Sequence, residues 1–127
     1  MKLSDANILV LDDEVELCEL CAEWLVAAGT HKVFTADEAK DALTVLLSES
    51  IDLLLTDVRM PGMDGLELQR RIRLERPTLP IIFISAHENA ETRQAALNEG
   101  AFNFLYKPFD AADLLEKIDA ALTTVQK

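Results

Sequence analysis

The sequence predicts an α/β fold: one five-stranded parallel sheet, strand order 2-1-3-4-5, flanked by five helices. Three observations lead there. Short apolar runs alternate strictly with longer amphipathic stretches, five of each. That alternation builds a parallel sheet, because a chain that returns to run parallel needs a crossover, usually a helix. Three of the five apolar runs are continuous, as strands buried on both faces must be, and two carry polar interruptions. The 127 residues suit a single domain spanning 1–127, and half of them are apolar, enough for a core.

The elements follow in order. Asn7–Leu11 (N-I-L-V-L) reads as the first strand. Glu14–Ala28 reads as a helix with Leu17, Leu20, Cys21, Trp24, Leu25 and Ala28 on one face and Gly29 as its stop. Lys32–Ala36 is the second strand, and Asp37 is placed to cap a helix running to about Glu49. Asp52–Thr56 (D-L-L-L-T) is the third strand. The turn Pro61-Gly62-Met63-Asp64-Gly65 leads into a helix through Leu66, Leu68 and Ile72. Pro80–Ser85 (P-I-I-F-I-S) is the fourth strand, Asn89–Glu99 a helix closed by Gly100, and Phe102–Tyr106 the fifth strand. Asp110 caps the last helix, carried by Leu114, Leu115, Ile118 and Leu122. The continuous runs belong at the centre and the interrupted second and fifth strands at the edges. In that order a ligand site lies beyond the strand C-termini, between strands one and three, where the winding reverses.

Charge narrows the function. Twelve basic against 23 acidic residues leave −11. That balance argues against direct binding to nucleic acid or anionic membranes, which call for Lys and Arg clusters. No apolar run approaches the roughly 18 residues needed to cross a bilayer, and no secretory leader is recognisable, so a cytoplasmic protein is expected. Cys18 and Cys21 have C-x-x-C spacing but fall inside an amphipathic helix, with no second Cys/His pair. They read as small, half-buried apolar side chains rather than a zinc or redox site.

The strand ends carry the chemistry. Strand one ends in Asp12-Asp13, strand three in Asp57, strand four in Ser85, and strand five in Tyr106-Lys107-Pro108. Converging carboxylates repel and raise one another's pKa unless a cation sits among them. One lysine cannot neutralise three carboxylates, and oxygen-only ligands suit Mg²⁺, with Mn²⁺ as the alternative. A carboxylate can attack phosphorus to form an acyl phosphate. Lysine and serine would then bind the oxygens of the transferring group.

The segments I-L-V-L-D-D-E, L-L-L-T-D-V-R-M-P-G-M-D-G, I-I-F-I-S-A-H and F-N-F-L-Y-K-P-F-D, in that order and spacing, resemble the receiver domains of two-component response regulators. These are CheY-like proteins with the flavodoxin-like doubly wound (βα)5 fold. The resemblance implies a Mg²⁺-dependent switch that accepts a phosphoryl group from a histidine kinase or phosphotransfer protein and passes the signal to an output partner. It implies Asp57 as phosphoacceptor and Asp13 as direct metal ligand. Asp12 would act on the metal mainly through water, and the backbone carbonyl of Arg59 would be a further ligand. It also implies Lys107 on the phosphoryl group, Ser85 as the hydroxyl that moves to it, Tyr106 as the aromatic that follows, and a cis Lys107–Pro108 bond. Side chains at Arg59 and His87 would line the path of attacking water. Arg93, Asn103, Asp113 and Lys117, on the face of the fourth and fifth helices and fifth strand, would meet the output partner.

Blander readings stand beside these. Asp12 and Asp13 also suit a helix N-terminus, Ser85 could cap the following helix, Lys107 could be an exposed lysine, and Tyr106 could simply pack. As a whole, the chain would not be an enzyme toward other substrates. An aspartyl-phosphate hydrolase would carry D-x-D, but Asp57 is followed by Val58-Arg59. The remaining alternative is a docking module of the same fold acting without phosphorylation. Such a module usually lacks one of the acidic residues or the lysine, which this chain keeps.

Overall fold

In the computed structural model, residues 1–58, 65–86 and 90–125 are described, with side chains through 123. Five parallel strands form one sheet: β1 (Asn7–Leu11), β2 (Lys32–Ala36), β3 (Leu53–Asp57), β4 (Ile81–Ser85) and β5 (Asn103–Tyr106). Their order is β2-β1-β3-β4-β5. The burial patterns explain it. Every residue of β3 is buried, as are four of five in β1 and β4, whereas β2 and β5 have only Ala36 and the Phe104–Leu105 pair buried. Strands without polar interruptions can take two covered faces, and the interrupted ones cannot.

Alternation along the strands sends side chains to two separate cores. Ile8, Val10, Leu55, Ile82, Ile84 and Leu105 point to one face, under α1 (Val15–Ala27) and α5 (Ala111–Val125). Leu9, Leu11, Leu54, Ile81, Phe83 and Phe104 point to the other, under α2 (Ala39–Ser48), α3 (Gly65–Glu75) and α4 (Ala90–Asn98). A short 3-10 turn, Leu3–Asp5, precedes β1.

The helix ends show which local signals the chain obeys. Gly29 and Gly100 adopt φ of +94° and +98°. Each lets the following amide reach back into its helix, Thr30 to the Leu25 carbonyl at 3.1 Å and Ala101 to the Ala96 carbonyl at 3.0 Å, a Schellman closure. Asp110 caps α5 as expected: its Oδ1 accepts from the Asp113 amide at 2.9 Å, and Asp113 returns the contact to the Asp110 amide at 3.4 Å. Asp37 does not cap α2. Glu38 holds the N-cap position, with no side-chain bond, because Ala39, Ala42 and Leu46 must face the core and they set the start of the helix. In α1 the buried stripe runs through Cys18, Cys21 and Leu25, while Leu20 is 40% exposed and Ala28 is exposed. Cys18 occupies the place the sequence reading gave to Leu20, so both cysteines are core residues rather than half-buried ones.

The sheet's opposite end is tied by arginine. Arg76 donates to the carbonyls of Leu46 and, at 2.9 Å, Glu49 at the C-terminus of α2, and to that of Ile51 at 3.1 Å in the segment leading to β3. Arg76→Met should therefore lower stability by about 1–3 kcal/mol, read by urea denaturation, because it strands those carbonyls.

Candidate functional site

Parallel pairing brings the candidate residues to one edge. Asp57 is the last residue of β3, in register with Ile84, and Ser85 closes β4 in register with Tyr106. Pairing continues past the strand ends: the Asp12 amide donates to the Ala36 carbonyl at 3.2 Å, and the Lys107 amide to the Ser85 carbonyl at 2.8 Å. Residues distant in sequence thus reach the same height above the sheet, at the crevice between β1 and β3.

Asp12, Asp13 and Asp57 each offer a carboxylate oxygen within 4.8 Å of the others. Asp12 and Asp57 are buried and Asp13 is exposed, so two of the carboxylates are held in the fold and one faces solvent. Asp12 Oδ1 accepts from the Glu14 amide at 2.9 Å, while Oδ2 is buried without a hydrogen-bond partner among the described residues. Burial pushes the Asp12 carboxyl up to about 6; the Glu14 amide opposes this, and the Asp57 charge adds to it. A buried carboxylate oxygen with no well-aligned donor, among other carboxylates, fits a hard divalent cation.

Lys107 bridges the cluster. Its ammonium donates to Glu14 Oε1 at 2.9 Å and Asp57 Oδ2 at 3.2 Å, and lies 3.3 Å from Asp12 Oδ2, an ion pair outside hydrogen-bond geometry. Burial works against its charge, but the Glu14 hydrogen bond and the Asp12 and Asp57 carboxylates outweigh it and hold Lys107 above its ordinary value. The exposed-lysine reading therefore fails: the Lys107 side chain is only 15% exposed. The Lys107–Pro108 bond is cis.

Ser85 is half-buried at the end of β4. The Tyr106 ring stacks on Phe104 with centroids 6.1 Å apart, and its hydroxyl is buried without a hydrogen-bond partner among the described residues. Arg59, Asp64 and His87, named from the sequence, lie outside the described residues.

Two contributors escaped the sequence reading. Cys18 donates its thiol to the Asp12 carbonyl at 3.2 Å, fixing the turn that carries the acidic pair. Burial raises the two thiols to about 11 for Cys18 and about 12 for Cys21, so both stay protonated and unreactive. Glu14 is the other, and its only signal was adjacency to Asp12-Asp13. Among the described residues no cysteine joins a metal-binding cluster, and no helix is long and apolar enough to cross a membrane.

Comparison with known proteins places the family. The response regulator receiver domain family matches residues 8–119. The transcriptional regulatory protein GlrR of Escherichia coli (strain K12) is 37% identical over 122 residues, which cover 96% of this chain but 27% of GlrR. The chain thus spans about a quarter of the length of such curated relatives. The receiver domain of NtrX from Brucella abortus superposes with a TM-score of 0.86 at 39% identity, covering 92% of this chain and 98% of that one. A CheY-like receiver domain protein from Methanospirillum hungatei JF-1 gives 0.91 at 30% identity, covering 96% and 97%. With the family match running from β1 into α5 and the same strand order beneath it, the chain belongs to the response regulator receiver domain family.

Proposed function

We propose that Asp57 accepts a phosphoryl group from the phosphohistidine of a sensor kinase or phosphotransfer protein, and that the modified chain switches a protein-binding surface. The observation that carries this reading is the meeting of Asp12, Asp13, Asp57 and Lys107 at one strand edge. An Asp57 oxygen attacks phosphorus, the P–N bond breaks, and its electron pair returns to the imidazole. Lys107, already at Asp57 Oδ2, is placed to neutralise an oxygen of the arriving group. Asp12, Asp13, Asp57 and the Arg59 carbonyl would hold Mg²⁺, or Mn²⁺. When bound, the ion supplies charge neutralisation for the carboxylates and the transferring phosphoryl.

The group adds about −1.5 to −2 charges at Asp57. Ser85, at the end of β4, would move inward to bond a new oxygen, and Tyr106 would follow. A tyrosine hydroxyl buried without a partner is poorly satisfied, which suits a side chain with two competing seats. The output surface would be α4, β5 and α5. Within α4 only Ala96 is buried, which suits a helix that shifts on the surface of the domain. Arg93 and Asp113 are exposed there, and Asn103 and Lys117 half-exposed. GlrR is a transcriptional regulatory protein, and control of transcription is the output this similarity supports. Its setting would be the cytoplasm, and its only catalysis would be on its own acyl phosphate. The 127 residues would fold as one unit.

The test is the intact mass after incubation with Mg²⁺ and acetyl phosphate. Wild type should gain one phosphoryl adduct that needs Mg²⁺, and Asp57→Asn should gain none. An adduct of equal yield in Asp57→Asn would sink the assignment. No adduct in wild type would favour a docking module that works unmodified.

A further inference from the structure

Glu14 stands outside the set of ligands and reactive groups assigned above, yet it makes the shortest contact to the lysine at their centre. Its Oε1 is 2.9 Å from Lys107 Nζ, against 3.2 Å for Asp57 Oδ2 and 3.3 Å for Asp12 Oδ2. Position explains how it reaches. Glu14 is the N-cap of α1, in extended backbone, and makes no side-chain capping bond. Its side chain is therefore free to cross the crevice, while its amide fixes Asp12 Oδ1. The Glu14 side chain is 62% exposed, so unlike Asp12 and Asp57 it can swing away without opening the core.

We propose that Glu14 is a positioning residue that competes with the phosphoryl group for Lys107, holding the ammonium over the unmodified site and opposing the phosphorylated form. This rests on the reading of Asp57 as phosphoacceptor. An ammonium has three donors in one small volume. A phosphoryl on Asp57 places its oxygens beyond the carboxylate, so the ammonium must turn toward them and loosen one contact. The exposed, outermost carboxylate is the one that can yield. Glu14 also adds negative charge where a negatively charged group must arrive. The same charge favours a divalent cation at Asp12 and Asp13. Removing it should therefore move cation and phosphoryl affinity in opposite directions, which a merely structural capping role would not do.

The experiment compares wild type with Glu14→Gln by calorimetric titration, with Mg²⁺ alone and then with beryllofluoride at saturating Mg²⁺. The glutamine keeps the size and the helix start. An exposed ion pair of this kind is worth about a two- to fivefold change in binding. Beryllofluoride should bind Glu14→Gln about two- to fivefold more tightly, and Mg²⁺ alone more weakly. Unchanged or weaker beryllofluoride binding in the variant, with wild type responding normally, would overturn the role of Glu14 and leave the phosphoacceptor intact. Failure of wild type to bind beryllofluoride at all would overturn both readings.

Discussion

Gly65→Ala should lose about tenfold or more of its capacity to accept a phosphoryl group, together with about 1–3 kcal/mol of stability. Gly65 opens α3, and a Cβ there would sit 2.8 Å from the Asp57 carbonyl oxygen, 2.8 Å from Phe83 Cε1 and 2.9 Å from the Val58 carbonyl oxygen. Two of those atoms are backbone and the third belongs to a fully buried ring. None can step aside cheaply in a close-packed core. Relief must come from moving α3 away or pushing the end of β3, and the end of β3 is Asp57. A displacement of that size is enough to spoil the alignment of a nucleophile. Urea denaturation and the intact-mass assay measure the two effects. A variant as stable and as readily phosphorylated as wild type would show that the α3 start yields freely.

Asp12→Asn should stabilise the metal-free protein at pH 7 by up to about 3 kcal/mol and weaken Mg²⁺ binding by about tenfold or more. The Asp12 carboxyl is raised, chiefly by burial, from an ordinary value near 3.8 to about 6. Between those values the folded chain binds more protons at this group than the unfolded chain. Wild-type stability at this site therefore falls as pH rises from about 4 to about 6, and stays reduced above. Asparagine has no charge to bury. The difference between the two proteins should be small below pH 4, grow through that window and level off above it. Added Mg²⁺ should close the gap, because it binds the folded wild type. Denaturation midpoints from pH 4 to 8, with and without Mg²⁺, read this directly. Equal midpoints at pH 7 without Mg²⁺ would mean that Asp12 is not strained.

Much of the protein was legible in its sequence. Strand order followed from where polar residues interrupt the apolar runs, because strands covered on both faces are built on continuous apolar stretches. The site followed from the order, because parallel strands deliver their C-termini to one edge. Asp12, Asp13, Asp57, Ser85, Tyr106 and Lys107 all sit there. Local signals that act within one turn also held: Gly29, Gly100 and Asp110 end or begin their helices as read. Asp37 and Leu20 did not, because core burial chose the start of α2 and the inner stripe of α1 over the capping residue and the larger side chain.

What only the tertiary structure decided depends on atoms that meet across elements. Gly65 reads locally as a turn glycine, but it is required because Asp57, Val58 and Phe83 leave no room for a Cβ. Cys18 and Cys21 read as half-buried apolar side chains, but packing places both fully in the core as thiols, one of which holds the Asp12 carbonyl. Glu14 reads as a favourable charge at a helix start, and 93 residues separate it from the lysine it holds. Periodicity and turn chemistry are properties of neighbouring residues, so a sequence displays them. The partner of a side chain is set by how elements pack, and that exists only once the sheet has assembled.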